Sequence, residues 1–245
     1  MHTSGAAVPG RSHWLLILAL SWFTACGAPA SDAEVDDAGL KYQIEYSARP
    51  DPDAGLVEVE LRLRQPANLL RELRFRFDPE RIFGFEADGD FSADASLARW
   101  NPPDDGGSLR WHVRIAHRRG DNGYDAWLDG EWGLFRAEDI IPRATTRTRK
   151  GATSETRLNF ELPRDWSVIS QYSGRDGQYS IDIPDRRFDQ PSGWIVMGRL
   201  GVRRDTISGV RIAIAGPVGN AVRRLDMLAL LNWTLPELAS LSSRR

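Results

Sequence analysis

The feature that most constrains this chain is a set of segments in which apolar and polar residues alternate with a period of two. The clearest covers residues 57–64, where Val57, Val59, Leu61 and Leu63 are separated by charged residues. Such alternation places the apolar side chains on one face, which is typical of a half-buried β-strand. Comparable segments have their apolar positions at Tyr42, Ile44 and Tyr46, at Leu73, Phe75 and Phe77, at Leu109, Trp111, Val113 and Ile115, at Leu158, Phe160 and Leu162, and at Tyr179, Ile181 and Ile183.

These strands are short and are separated by turns rich in Gly, Pro and Asp, such as residues 51–55. The chain shows no internal repeat and no alternation of strands with helices. We therefore predict an all-β fold, an antiparallel β-sandwich of roughly ten strands over residues 40–218, whose first two strands form a hairpin. Residues 219–245 change to helical periodicity and predict a short helical tail, interrupted at Asn232–Pro236.

The start of the chain has the pattern of a bacterial export signal. Residues 1–25 carry Arg11, an apolar run over residues 14–23 and then small residues, and the run is too short for a membrane span. Cys26, the one cysteine, follows Phe-Thr-Ala in a pattern that resembles a lipobox. We expect lipidation at Cys26, with ordinary cleavage after Ala30 as the alternative.

The small and acidic residues 26–39 then predict a flexible tether between the anchor and the β domain. A lipid anchor to the membrane places the protein in the bacterial cell envelope, as an exported lipoprotein that faces the periplasm.

Composition excludes several classes of function. The net charge is −2, and the arginines are scattered among carboxylates, so no basic surface is available for nucleic acid. The expected mature body holds two histidines, His112 and His117, and no His-Glu-x-x-His motif occurs. No glycine-rich phosphate loop stands between a strand and a helix. We therefore expect no metal, no cofactor and no catalytic residue in this chain.

One run has the spacing of half a calcium-binding loop, with oxygen-bearing side chains at Asp88, Asp90, Ser92 and Asp94. Ala93 replaces the turn glycine of such a loop, and Arg99 stands where its closing glutamate belongs. We predict a solvated loop here, within a loop-rich region that covers residues 84–107.

Residues 117–142 place aromatic residues within an acidic run and read neither as a simple strand nor as a simple helix. Long connections of this kind are often functional. We predict a possible interaction surface formed by Asp125, Trp127, Asp129 and Glu131, and we expect the rings of Trp127, Trp132 and Phe135 to be largely buried. The alternative is a pair of catalytic carboxylates beside tryptophans, as in glycosidases, drawn from Asp125, Asp129, Glu131, Glu138 and Asp139.

Three segments resemble a known family: residues 124–142, 160–166 and 188–198. Their aromatic, proline and glycine landmarks are similar to those of the N-terminal β domain of the glycyl aminopeptidase family, zinc metallopeptidases that usually also carry a PDZ domain. The resemblance covers roughly residues 40–240. In that family a thermolysin-like domain follows and supplies the zinc site, and its motif is absent here, so no catalytic residue is carried over.

Taken together, these features predict a non-catalytic envelope lipoprotein module that binds a peptide or protein partner. Two alternatives remain open. The chain is a truncated fragment of a zinc aminopeptidase, or it is a carbohydrate-binding β-sandwich that uses exposed tryptophans.

Overall fold

The computed structural model describes residues 40–118, 123–181, 183 and 187–242. Over these residues the protein is an all-β sandwich with several sheets, and a long helix follows the last strand. The predicted fold class is therefore confirmed.

The elements are numbered in chain order. The strands are β1 (Lys41–Asp51), β2 (Leu56–Arg64), β3 (Leu70–Arg76), β4 (Ile82–Ala87), β5 (Asp90–Asp94), β6 (Leu97–Asn101), β7 (Gly106–Arg114), β8 (His117–Arg118), β9 (Tyr124–Leu128), β10 (Trp132–Arg136), β11 (Ala144–Thr148), β12 (Thr153–Phe160), β13 (Ser167–Ile169), β14 (Gly174–Arg175), β15 (Gln178–Ile181), β16 (Trp194–Gly198), β17 (Leu200–Ile207) and β18 (Val210–Pro217). The helices are α1 (Ala137–Ile140) and α2 (Arg224–Ser242).

Four sheets are formed by these strands. A seven-stranded sheet has the order β14-β15-β12-β1-β2-β7-β4, and a five-stranded sheet has the order β13-β16-β10-β9-β8. A four-stranded sheet has the order β11-β3-β6-β5, and β17 and β18 form a two-stranded hairpin.

The predicted hairpin of the first two strands is present, because β1 and β2 pair antiparallel with Tyr46 opposite Leu61. The sheet as a whole is not purely antiparallel, however. β1 pairs parallel with β12, from Lys41 opposite Thr153 to Ala48 opposite Phe160. A parallel pair requires a long crossover connection. Local alternation does not reveal which distant strand a segment joins, so this part of the prediction was wrong.

More strands are present than the roughly ten that the sequence predicts, and residues 84–107 are not mainly loop. They contain the end of β4, all of β5 and β6 and the start of β7. β5 is polar and mostly exposed, and therefore carries no apolar alternation. In the same region Asp88 accepts hydrogen bonds from the Ser108 amide at 2.9 Å and from its hydroxyl at 2.8 Å. This carboxylate of the calcium-like run is thus engaged in joining β7 to the neighbouring loop.

The core lies between the seven-stranded sheet and the other sheets. The ring of Phe75 on β3 lies 6.0 Å from that of Trp111 on β7, which joins the four-stranded sheet to the seven-stranded one. The Tyr179 hydroxyl on β15 donates a hydrogen bond to the Val168 carbonyl on β13 at 2.8 Å, which joins the five-stranded sheet to it as well. Buried and less buried residues alternate along β9 and β10, so the core covers one face of the five-stranded sheet.

The tail forms a single helix, α2, which continues through Pro236, so the expected interruption was wrong. Proline removes one backbone donor in a helix interior and bends the helix. The side chains of Asn232 and Thr234 donate to the carbonyls of Leu228 and Leu230 one turn earlier, at 3.1 and 3.0 Å. The backbone bond that Pro236 cannot make is the one to the Asn232 carbonyl, and the loss of that single bond does not end the helix. Within the described part of the chain, neither helix is long and apolar enough to cross a membrane.

Candidate functional site

The four residues of the predicted interaction surface lie on β9 and in the turn that joins it to β10. Trp127 donates from Nε1 to Asp129 Oδ2 at 2.8 Å. The other Asp129 oxygen accepts the amides of Glu131 and Trp132 at 2.9 and 3.0 Å. Asp129 therefore holds the turn closed, whereas Glu131 is exposed to solvent. The structure brings the four residues together, but Asp129 has a structural role among them.

The electrostatics of the two aspartates follow from these contacts. Partial burial of Asp129 acts to raise the pKa of its carboxyl, but the three hydrogen bonds outweigh it and the pKa lies below its ordinary value. The pKa of Asp125 is also lowered, chiefly by its 2.5 Å hydrogen bond to His117 Nδ1. Both carboxylates are therefore ionised at neutral pH.

The three aromatic residues of this stretch do not share one environment. Phe135 is fully buried in the core, as expected; Trp127 and Trp132 are partly buried, but they lie on the outer face of the sheet and do not pack in the core. The reason is strand alternation, because neighbouring residues of β10 point to opposite faces of the sheet. Phe135 enters the core, whereas Trp132 and Leu134 lie on the outer face.

This outer face of the five-stranded sheet is apolar. Strand pairing aligns Trp127 with Leu134, Leu134 with Val196, and Val196 with Ile169, which makes a row across four strands. Trp194 lies beside this row and is 49% exposed. Antiparallel sheets with one buried face usually carry polar side chains on the other. An apolar outer face therefore indicates that another segment of the protein or a binding partner packs on it.

The β17–β18 hairpin stands opposite this outer face and leaves a cavity of about 1300 Å³ between them, which we call the hairpin groove. Its floor includes Trp132, Leu134, Trp194 and Val196, and its far wall includes residues of β17 and β18. Pockets for small ligands are typically about 300–1,000 Å³. The hairpin groove therefore exceeds what one small molecule fills.

A smaller depression of about 280 Å³ adjoins the groove and shares Trp132 and Leu134 with it. Its other lining residues include Tyr124, Asp125 and Trp127. Asp125 and Trp127 of the predicted interaction surface thus lie at one end of a longer apolar surface, most of which was not predicted from the sequence. A signal was available in the uninterrupted run Trp194-Ile-Val-Met197, because a strand that is apolar on both faces is covered on both faces.

The wall of the groove carries two arginines and one aspartate, Asp205, whose carboxylate accepts the Thr206 amide at 2.7 Å. Arg204 and Arg211 line it from the hairpin, and Arg211 donates to the Ser173 hydroxyl at 2.6 Å. Arg136 lies over the ring of Trp194, with its guanidinium carbon 4.8 Å from the ring centroid. This contact orients Trp194 and leaves a cation at the rim.

Two further carboxylates considered for glycosidase chemistry, Glu138 and Asp139, are engaged in local structure. Glu138 accepts the Gly193 amide at 2.9 Å. Asp139 accepts the Arg136 amide at 2.8 Å and pairs with Arg81 at 3.5 Å. Over the described ranges, no group of three or more His, Cys, Asp and Glu side chains is arranged to hold a metal ion. The remaining predicted site residue, Cys26, lies outside the described residues.

Comparison with known sequences gave no match: no protein-family model and no curated protein matches this chain. Solved structures do match. An aminopeptidase N family protein from Idiomarina loihiensis matches with a TM-score of 0.56 and 16% identity, over 77% of this chain and 35% of that one.

Two further structures are more distant. The M1 zinc metallopeptidase of Deinococcus radiodurans matches with a TM-score of 0.39 and 11% identity, over 78% of this chain and 51% of that one. Aminopeptidase A of Legionella pneumophila matches with a TM-score of 0.36 and 10% identity, over 73% of this chain and 23% of that one. This chain thus spans about a third of the length of the Idiomarina protein. At this identity the likeness concerns the fold: the β-sandwich is similar to a part of an aminopeptidase N family protein, as the resemblance in sequence implies.

Proposed function

We propose that the protein is a non-catalytic, membrane-tethered module of the bacterial envelope that binds a polypeptide partner in the hairpin groove. The observation that carries the proposal is the apolar outer face of the five-stranded sheet, which lies open opposite the hairpin. A face that bears Trp132, Leu134, Trp194 and Val196 gains free energy when it is covered, at about 25 cal/mol per Å² of apolar surface. The size of the groove favours a polypeptide over a small metabolite.

The state of the candidate catalytic groups supports a binding role. Asp129, Glu138 and Asp139 all accept backbone amides, so their lone pairs are engaged in holding turns. A general acid or base must instead present its carboxyl to a substrate.

A second candidate function is that the chain supplies this β domain to a zinc aminopeptidase. The observation in its favour is the apolar surface of α2, where Leu225, Leu230, Trp233 and Leu238 are exposed and Trp233 reaches 85%. An exposed tryptophan on a helix is typical of a surface that packs on another domain. A His-Glu-x-x-His sequence encoded downstream in the gene, in any reading frame, would favour this candidate over a stand-alone module.

The test begins with selection of binders from a displayed library of random heptapeptides on the purified β domain. The tightest peptide is then titrated by calorimetry against the wild type and Val196→Asp, which places a charge on the groove floor. Leu97→Asp is the matched control, because Leu97 is a 41% exposed aliphatic residue on the four-stranded sheet. We expect at least tenfold weaker binding for Val196→Asp, equivalent to about 1.4 kcal/mol, and unchanged binding for Leu97→Asp.

Three outcomes would contradict the proposal. Equal affinity for the two variants would remove the groove from the binding site. Failure to select any peptide, together with oligosaccharide binding that depends on Trp194, would indicate a carbohydrate-binding module. Hydrolysis of an aminoacyl amide that is lost on chelation would indicate a metallopeptidase.

A further inference from the structure

The hairpin that walls the groove has an unpaired edge. Among the strands that the structure describes, β17 and β18 pair only with each other, from Leu200 opposite Pro217 to Ile207 opposite Val210. The two-residue turn between them has positive φ at both positions, 50° at Ser208 and 79° at Gly209, as in a type I′ turn. The outer side of β18 is therefore an open strand edge over eight residues.

The turn also fixes which backbone groups face outward. A two-residue turn of this type closes with a hydrogen-bonded pair, here Ile207 and Val210, and antiparallel pairs then alternate between bonded and non-bonded. The non-bonded positions on β18 are Arg211, Ala213 and Ala215. Their N–H and C=O groups point away from β17.

This edge faces the hairpin groove. Arg211, Ile212 and Ala213 all line it, and so do Ala215, Gly216 and Pro217. Successive residues of a strand point to opposite faces, so a cavity lined by consecutive residues extends past the edge of the strand. Six residues of β18 line the groove, against three of β17, residues 204–206, so the groove runs mainly along β18. Arg224 donates to the carbonyls of Gly216 and Pro217 at 3.0 and 3.1 Å. The edge available for pairing therefore ends near Ala215.

Small side chains and two arginines occupy the wall beside this edge. Asp205 also lines the groove, but it pairs with Ile212 and therefore lies on the other face of the hairpin from Arg204 and Arg211. Ala213 and Ala215 leave room above the tryptophan floor. Arg204 on β17 lies opposite Ala213 on β18, and Arg211 precedes Ala213 by two residues and points to the same face. The two arginines are therefore diagonal neighbours across the hairpin. Their guanidinium groups are suited to binding a carboxylate.

We propose that the groove takes its polypeptide as an extended strand, which adds to the edge of β18 over residues 211–215 and bears a carboxylate beside Arg204 and Arg211. This inference rests on the binding role proposed above and specifies its geometry. Strand addition uses main-chain hydrogen bonds for affinity and pockets under alternate side chains for specificity. Five residues of strand extend about 17 Å. Alternate side chains of the added strand contact the floor at Trp132, Trp194 and Val196.

The first experiment is an N-methyl scan of the heptapeptide selected in the previous section. Methylation removes one backbone donor, so it disrupts pairing only at the residues whose N–H points to β18. We expect at least tenfold weaker binding at alternate residues and small effects at the residues between them. A scan without this period of two would overturn strand addition, and a requirement for Val196 would still leave the groove as the binding site.

The second experiment tests the carboxylate. The selected peptide is compared with versions in which glutamine or asparagine replaces its acidic residue, or in which the C terminus is amidated, which distinguishes a side-chain carboxylate from a terminal one. We expect one of these altered peptides to bind at least tenfold more weakly to the wild-type protein. The original peptide should lose the same affinity on the R204E/R211E variant. Arg76→Glu, at the end of β3 in the four-stranded sheet, is a control for charge reversal away from the groove, and this variant should bind the peptide normally. Equal binding of acidic and neutral peptides would refute the role of the arginines.

Discussion

Phe135→Ala offers the most direct test of how the chain between residues 117 and 142 is held to the core. Phe135 is fully buried between β9 and β16, on the inner face of β10. A large aromatic side chain buries about 150–250 Å². At about 25 cal/mol per Å² this corresponds to an upper limit of about 4–6 kcal/mol. Replacing the side chain by alanine also leaves a cavity, and such substitutions at buried aromatic sites lower the free energy of unfolding by about 3–5 kcal/mol.

We therefore expect the free energy of unfolding to fall by about 3–5 kcal/mol in Phe135→Ala, measured by urea denaturation at neutral pH. Trp132→Ala on the same strand is the internal control. Its side chain is larger but only half-buried on the groove face, so its loss should be smaller by at least about 1 kcal/mol. A change below about 1 kcal/mol for Phe135→Ala, the scale of a surface substitution, or a larger loss for Trp132→Ala, would refute this assignment of the two faces.

Three further predictions concern other parts of the chain. Hydrogen bonds hold the folded pKa of Asp129 below its unfolded value, so its contribution to stability is present above about pH 4 and is lost as pH falls through the folded pKa. The free energies of unfolding of wild type and Asp129→Asn, measured in urea, should therefore converge at low pH, and a difference that stays constant with pH would contradict this. Gly106→Ala should lose about 1–3 kcal/mol of stability, because Gly106 has φ +113° and a methyl group there overlaps the Leu63 carbonyl. An unchanged denaturation midpoint would show that position 106 does not require glycine. Mass spectrometry of the mature protein should find a lipidated Cys26 at the N terminus, and an unmodified N terminus at Ser31 would instead show ordinary cleavage.

The identity of the buried residues could be predicted from the sequence where one face of a strand is apolar and the other charged. Val57, Val59, Leu61 and Leu63 are buried, as their alternation with charged residues indicates. This works because the pattern itself encodes which face meets the core. The pairing of strands is not encoded locally, and so the parallel neighbour of β1 was not predicted.

The candidate site, too, could be predicted only in part from local sequence pattern. Trp127 and Asp125 were placed on an interaction surface from their composition, and the structure puts both beside the apolar outer face. The larger part of the groove joins β10, β16 and the hairpin, which are far apart in the chain. Where both faces of a strand are apolar, alternation does not show which face is the core. Trp132 and Phe135 were therefore given the same environment although they face opposite ways.

The parallel pairing of β1 with β12 has a consequence for how the protein reaches its folded state. β1 is a central strand of the largest sheet, yet its partner, Thr153–Phe160, is made roughly a hundred residues later. At about 5–20 residues per second, synthesis of that stretch takes about 5–20 s. During this time β1 exposes an unpaired edge, and pairing between distant segments is also slow to form, on the scale of milliseconds to seconds. The nascent chain is therefore vulnerable to aggregation until residue 160 has emerged, and substitutions that weaken β12 should lower the yield of folded protein more than they lower its stability.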